Sequence, residues 1–164
     1  MKIVILESQY NRILREEEEP KILKIPSMKF FNNDWFLLQK FLEKKGNPLY
    51  SIGGNLDLEG TPIKSLGNLQ SVGGSLYLEE TPIKSLGNLQ SVWGNLDLLR
   101  TRIESLGNLQ SVGGFLDLGN TPIESLGNLQ SVGGNLNLNG TPLSKMYTRE
   151  QIREMVDVNG KIYL

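Results

Sequence analysis

The chain has 164 residues, 38% of them hydrophobic, which suffices for one domain with a core of ordinary size. Its 17 lysines and arginines nearly balance 18 aspartates and glutamates, so charge indicates neither a nucleic-acid nor a membrane partner. Cysteine and histidine are absent, which excludes disulfides, thiolate nucleophiles, histidine catalysis and the usual zinc ligand sets, and no cofactor is expected.

The first 50 residues do not repeat and are predicted to form an N-terminal cap of strand, helix, strand and helix (residues 1–50). The apolar runs KIVIL (2–6) and KILKI (21–25) predict the two strands. Between them a helix is predicted from Ser8, and its acidic end, residues 16–19, stops at Pro20. The start lacks a signal-peptide pattern and no run reaches the ~20 apolar residues of a spanning helix, so a cytoplasmic protein is expected.

A second helix is predicted in the stretch FFNNDWFLLQKFLEKKGNP (30–48). Asn32 or Asn33 is the expected N-cap, and Gly46 with Pro48 is expected to end the helix. The apolar residues of one face are predicted to cover the first repeat rather than line a cofactor pocket. They are Trp35, Leu38, Phe41 and Leu42.

From residue 51 onward the chain repeats with a period of 20 residues, and we call each unit a rung. Every rung carries two leucines separated by one residue, followed by a threonine. The first leucines are Leu56, Leu76, Leu96, Leu116 and Leu136, and the threonines are Thr61, Thr81, Thr101, Thr121 and Thr141. Because one rung cannot bury its apolar side alone, residues 51–164 are predicted to stack as a solenoid with parallel strands ~4.8 Å apart.

Each rung is predicted to contain one short strand and a tightly turned return. The two leucines alternate with the period of a strand, whereas the return SLGNLQSVGG (65–74) is too short for a helix of several turns. Extended and turn structure is expected in the return, including a second narrow sheet, and a three-faced parallel β-helix is the alternative. Asparagines of the return are predicted to form an internal ladder; they are Asn68, Asn88, Asn108 and Asn128.

The pattern SLYLEETPIKSLGNL (75–89) resembles the leucine-rich repeat, with Thr81 in the slot where that family carries asparagine. The resemblance covers residues 51–164 and implies a leucine-rich-repeat solenoid, nominally α/β but rich in strand, with a concave sheet of about six short strands. The Thr81 hydroxyl is expected to bond the backbone of a neighbouring rung. The nearly identical copies are also similar to repeat proteins carried by bacteriophages, which implies a host-facing role in the bacterial cytoplasm.

The end of the chain, YTREQIREMVDVNGKIYL (147–164), predicts one helix and then a last strand. Thr148 and Gln151 have capping-box spacing, and Ile162 and Leu164 take the places of the two leucines. The outer side of this last strand is expected to be left uncovered. Its open edge predicts a possible homodimer in which two last strands pair.

A candidate binding site lies on the predicted strands, because residues between the inward leucines face outward. Acids dominate these positions, with apolar side chains beside them and an arginine at the border, which favours a protein partner with a basic surface. The candidate partner-binding residues are Asp57, Tyr77, Glu79, Asp97, Leu99, Arg100, Phe115 and Asp117. Neither a nucleic-acid nor a membrane partner is predicted.

Two other functions stay open as alternatives. Asp97 and Asp117 form a conceivable carboxylate pair for an enzyme acting on polysaccharides, but an open face offers little to exclude water, so no enzyme is expected. A small ligand such as a nucleotide could be sequestered where the cap meets the solenoid, in a pocket lined by Tyr50, Trp35 or lysine residues. Trp93 stands where other rungs carry glycine and is interpreted as filling the space beside them.

Overall fold

The computed structural model describes residues 21–164, and there the chain forms a parallel β-solenoid with two parallel sheets. Sheet A has seven strands: β1 (Leu23–Ile25), β2 (Tyr50–Ile52), β4 (Leu69–Val72), β6 (Ser91–Val92), β8 (Ser111–Val112), β10 (Ser131–Val132) and β12 (Asp157–Val158). Sheet B has six: β3 (Leu56–Asp57), β5 (Leu76–Tyr77), β7 (Leu96–Asp97), β9 (Leu116–Asp117), β11 (Leu136–Asn137) and β13 (Ile162–Tyr163). The strand and helix predicted before Pro20 lie outside the described residues.

The strands stack in a register that follows the repeat. Leu76 is opposite Leu96, and Leu96 is opposite Leu116, so equivalent residues of successive rungs are neighbours. These leucines are fully buried in one continuous apolar core. The predicted return does contain a second narrow sheet, sheet A, and the solenoid therefore has two sheets rather than the three of the alternative β-helix.

A threonine closes the turn that follows each of the first five strands of sheet B, and all of these threonines except Thr61 are buried. The Thr81 hydroxyl donates to the Leu78 carbonyl oxygen at 2.8 Å, and the Thr81 backbone N–H donates to the same oxygen at 3.1 Å. The expected bond to a neighbouring rung is therefore wrong. The turn brings the carbonyl three residues back within reach of the hydroxyl, and this satisfies a buried polar group locally.

The predicted internal ladder of asparagines is also wrong. Asn88 does donate to the Asn68 side chain at 3.1 Å, but Asn108 and Asn128 are exposed. A different ladder crosses the rungs just before sheet B, where a side-chain oxygen accepts from the backbone N–H one rung later. Its bonds are Ser75 N–H to Asn55 (2.9 Å), Asn95 N–H to Ser75 (3.0 Å), Phe115 N–H to Asn95 (2.9 Å) and Lys161 N–H to Asn135 (2.8 Å).

Before the repeat, a 3-10 helix (Met28–Phe31) leads into helix α1 (Trp35–Lys44). The N-cap of α1 is Asp34 rather than either predicted asparagine, and its carboxylate accepts from the N–H groups of Phe36 and Leu37 at 2.8 and 3.1 Å. Both asparagines instead have left-handed backbone, with φ of 52° and 58°, which turns the chain between the two helices. On the predicted face, Trp35, Leu38 and Leu42 are buried in the solenoid's core and Phe41 is half-buried.

Near the end, two short helices replace the single predicted one: α2 (Leu143–Met146) and α3 (Arg149–Met155). The predicted capping box is confirmed, since Gln151 N–H donates to the Thr148 side chain and the Gln151 side chain accepts from Thr148 N–H. Strands β12 and β13 then complete the last rung, with Ile162 buried. None of the described helices is long and apolar enough to cross a bilayer.

Two arginines of α3 bond the outer edge of this last rung. Arg149 Nε donates to the Ile162 carbonyl oxygen at 2.9 Å. The Arg153 guanidinium donates to the carbonyl oxygens of Val158 and Gly160. The edge predicted to be open thus has three carbonyl groups already bonded, which blunts it against another strand.

The buried leucines of sheet B are expected to carry much of the stability. Leu96→Ala should lower the free energy of unfolding by about 2–5 kcal/mol, because the rigid rungs on both sides cannot close the cavity. Leu37→Ala, at an exposed position of α1, should change it by less than about 0.5 kcal/mol. Urea denaturation followed by circular dichroism measures both values, and equal effects would contradict the assignment.

Candidate functional site

The eight candidate residues lie along the outer face of sheet B and the turns that follow it. Asp57, Tyr77, Asp97 and Asp117 are aligned on successive strands, since each is opposite the next in the register. Glu79, Leu99 and Arg100 belong to the following turns, and Phe115 precedes β9. We call these eight residues the acidic–aromatic patch.

The aspartates of the patch have a structural role that the sequence analysis missed. Asp97 Oδ1 accepts from the Leu99 backbone N–H at 3.0 Å, and Asp117 Oδ1 accepts from the Gly119 N–H at 2.8 Å. Asp57 Oδ1 likewise accepts from the Glu59 backbone N–H at 3.2 Å. Each aspartate therefore forms an Asx turn that ends its strand. An aspartate at the end of an apolar strand is typical of such a turn, so the sequence could have predicted this role.

Asp117 is buried, contrary to the expectation that this position faces solvent. It is only 9% exposed, and its Oδ1 atom also accepts from the Asn137 amide at 2.8 Å. Leu99 lies across the neighbouring Gly119: a Cβ placed on that glycine would be 2.9 Å from Leu99 Cδ1 and 3.0 Å from Asp117 Oδ1. A large residue in one rung thus fills space left by the glycine of the next, which explains why Leu99 replaces the acids of earlier rungs.

Asp97 lies between Asp117 and Glu79 without a cation of its own. Among the described residues it forms no ion pair. Burial raises the pKa of the Asp97 carboxyl, repulsion from Asp117 raises it further, and the hydrogen bond from Leu99 N–H opposes both. Burial also raises the pKa of Glu79, with further repulsion from Asp97 and Glu59 and partial relief from Arg100. The centre of the patch therefore holds poorly compensated negative charge.

Arg100 is bound to acids of the preceding rung. Its guanidinium lies 3.4 Å from Glu79 Oε1 and 3.3 Å from Glu80 Oε1, in exposed pairs that contribute little stability. Its backbone has a left-handed φ of 56°, where two other rungs have Gly60 and Gly140. For a residue with a Cβ atom, this conformation costs about 1–2 kcal/mol of conformational free energy. Arg100 therefore occupies a position where glycine would be less strained.

Tyr50 lines a small cavity at the junction of α1 and the solenoid, whereas Trp35 does not contribute to its lining. Trp35 is 5% exposed and Tyr50 is 1% exposed. The Tyr50 hydroxyl donates to the Leu66 carbonyl oxygen at 2.8 Å and accepts from Gln39, and burial raises the Tyr50 pKa. The cavity, of about 200 Å³, is lined by uncharged residues, none of which could pair with a phosphate.

Trp93 does not fill space beside the glycines, as the sequence analysis interpreted it. Its side chain is 75% exposed on the sheet A side of the solenoid.

Within residues 21–164, no group of three or more acidic side chains is placed to hold a metal ion. Comparison with family models, curated proteins and solved structures found no match to this chain.

The backbone strain at Arg100 can be measured. Arg100→Gly should be more stable than Arg100→Ala by about 1 kcal/mol, because both lose the ion pairs but only glycine relieves the left-handed φ. Arg102 is the matched control: its φ is not positive, so Arg102→Gly should be less stable than Arg102→Ala. Urea denaturation of the four variants decides the point, and the same sign at both positions would contradict it.

The charge at Asp97 should make stability depend on pH. Because folding raises this pKa above 3.8, stability is lost as the pH rises from the unfolded pKa through the folded one. Asp97→Asn keeps the turn, as Asn137 does with its bond from Asn139 N–H at 3.1 Å, and removes the charge. The variant should be more stable than the wild type at neutral pH, and this gain should vanish in acid. A gain independent of pH, measured by urea denaturation, would contradict the assignment.

Proposed function

We propose that this protein is a non-catalytic interaction module that binds a protein partner through the acidic–aromatic patch. The observation that carries the proposal is the alignment of Asp97 and Asp117 on adjacent strands with no paired lysine or arginine among the described residues. Like charges directly opposite each other destabilise a sheet. A basic side chain from a partner would relieve that repulsion, and Asp97, with the higher exposure of the two, is the carboxylate it would reach.

Apolar side chains beside the acids support the same proposal. Phe115 is half-buried and occupies a slot where Asn95 and Asn135 each bond the backbone of the following rung. A phenylalanine in this slot gives up that hydrogen bond and keeps apolar area partly exposed. Together with Tyr77 and Leu99 it would supply the apolar contacts that complement a charge pair in a protein interface.

We also propose that the solenoid is a leucine-rich-repeat protein. A 20-residue unit with an L-x-L strand and a threonine-closed turn supports a leucine-rich-repeat identity. The resemblance to bacteriophage repeat proteins supports a host-facing role in the bacterial cytoplasm, such as binding or inhibiting a host factor. Both follow from resemblance rather than from geometry.

The alternatives have less support. As an enzyme pair, Asp97 and Asp117 already accept hydrogen bonds from turn amides, and Asp117 is buried under its neighbours. For nucleotide sequestration, the cavity beside Tyr50 has no cationic lining. A cavity of about 480 Å³ where the 3-10 helix meets the first rung is lined by Lys29, but also by Asp57, whose carboxylate would repel a phosphate. Self-association through β13 stays a prediction for light scattering to test, and the bonds of Arg149 and Arg153 to the edge carbonyls compete with it.

The test uses substitutions that preserve the solenoid. Phe115→Asn restores the residue of the sister rungs, and Asp97→Asn retains the Asx turn. The wild type, immobilised on resin, should retain a protein from bacterial lysate, and the purified partner should bind the double variant at least about tenfold more weakly. Binding of the wild type should also weaken with added salt, since charge contributes to it.

Glu124→Gln is the matched control, because it removes one exposed negative charge outside the patch. The affinity of Glu124→Gln for the purified partner should stay within about twofold of that of the wild type. Thermal denaturation should show a cooperative unfolding transition for every variant, which confirms that each one is folded. Equal affinity of the wild type and the double variant for the partner would reject the patch as the binding site.

A further inference from the structure

A shallow groove runs along the sheet A side of the solenoid, and none of the residues that line it belongs to the acidic–aromatic patch. Its volume is about 320 Å³, within the range of small-ligand sites. No charged residue lines it, although the chain as a whole is 21% charged. The lining residues are Val92, Trp93, Ser111, Val112, Gly113, Ser131, Gly133 and Asn159.

Trp93 occupies a slot that disfavours any side chain. In the sister rungs, a Cβ placed on Gly73, Gly113 or Gly133 would lie 2.5, 2.0 or 2.2 Å from the carbonyl oxygen of the preceding rung. The hydrogen bond from Trp93 N–H to the Val72 carbonyl oxygen is 3.0 Å long, against 2.8 Å for the equivalent bond of Gly113. Since the ring is also 75% exposed, packing does not explain its presence.

Polar groups in the groove are free to bind a ligand. The hydroxyls of Ser111 and Ser131 are half-buried and make no hydrogen bond to any other residue among 21–164. By contrast, the hydroxyls of Ser105 and Ser125, in the returns, each accept from a glycine N–H at 3.0 Å. Ser111 and Ser131 are opposite each other on adjacent strands, so they present two hydroxyls one rung apart.

We propose that this groove binds a neutral saccharide, with a sugar ring stacked on Trp93 and its hydroxyls bonded to Ser111 and Ser131. A pyranose ring has an apolar C–H face that suits an indole and a rim of hydroxyls that both donate and accept, as serine does. An ionic ligand would find no counter-charge in the lining. An apolar peptide side chain would leave the serine hydroxyls without partners, which costs affinity.

Tryptophan fluorescence provides a direct readout, because the chain has two tryptophans and Trp35 is only 5% exposed. The probes are maltohexaose, cellohexaose, xylohexaose and chitohexaose, with hexagalacturonate as the charged comparison and acetyl-tetraleucine amide as the apolar one. At least one neutral oligosaccharide should change the emission of the full-length protein in a saturable way, with no response to the two comparison compounds at the same concentration.

Trp93→Gly is the main test variant, since it restores the residue of the neighbouring rungs and should leave the melting temperature unchanged or higher. Calorimetry should show affinity for the active sugar at least about tenfold weaker in this variant. Ser131→Ala should weaken it about two- to tenfold, and Trp93→Phe should retain part of the affinity. The proposal is overturned if no neutral sugar binds, if Trp93→Gly binds as tightly as the wild type, or if a comparison compound binds more tightly.

Discussion

Contact between the leucines of successive rungs is the constraint on which the structure depends. Leu76, Leu96 and Leu116 are fully buried only because each lies between its equivalents. The backbone hydrogen bonds also join equivalent positions of successive rungs: Leu76 N–H donates to the Asn95 carbonyl oxygen and Leu96 N–H to the Phe115 carbonyl oxygen, both at 2.8 Å. Apolar burial and hydrogen bonding therefore select the same 20-residue register, and a slip by one residue would expose every leucine. Outward positions carry no such constraint.

The same constraint makes the two ends special, because a terminal rung has a neighbour on one side only. In the last rung, Arg149 and Arg153 donate to backbone carbonyl groups that face away from the preceding rung. Toward the N-terminal end, Trp35, Leu38 and Leu42 of α1 extend the apolar core beyond the repeat. Contacts beyond the repeated strands are therefore hydrogen bonds from two arginines after the last full repeat and apolar packing of α1 before the first one.

The rung from 91 to 110 departs from its neighbours on both sheets, for separate reasons. Leu99 is coupled to Gly119 of the next rung, and Arg100 is coupled to Glu79 and Glu80 of the one before. Through these contacts, both residues pack against other residues on the sheet B side of the solenoid. Trp93 stands beside sheet A over a groove floored by glycines, with its ring mostly in solvent. One rung therefore contributes to two surfaces of different chemistry, one acidic and one neutral.

Periodicity in the sequence was enough to predict the solenoid, the parallel register, the buried leucines and the second narrow sheet, because these follow from which residues recur every 20 positions. Alternation along each strand was enough to align Asp57, Tyr77, Asp97 and Asp117 beside the leucines, but it did not predict that Asp117 is buried. Contacts between different side chains were decided only by the tertiary structure: Leu99 lies across Gly119, the buried Asp117 accepts from Asn137, and Thr81 bonds within its own rung. Trp93 was predicted to fill the space beside its neighbouring glycines, but its ring is exposed, which again depends on contacts between rungs. A repeat shows which positions are equivalent, but exposure depends on what the next rung brings to the same place.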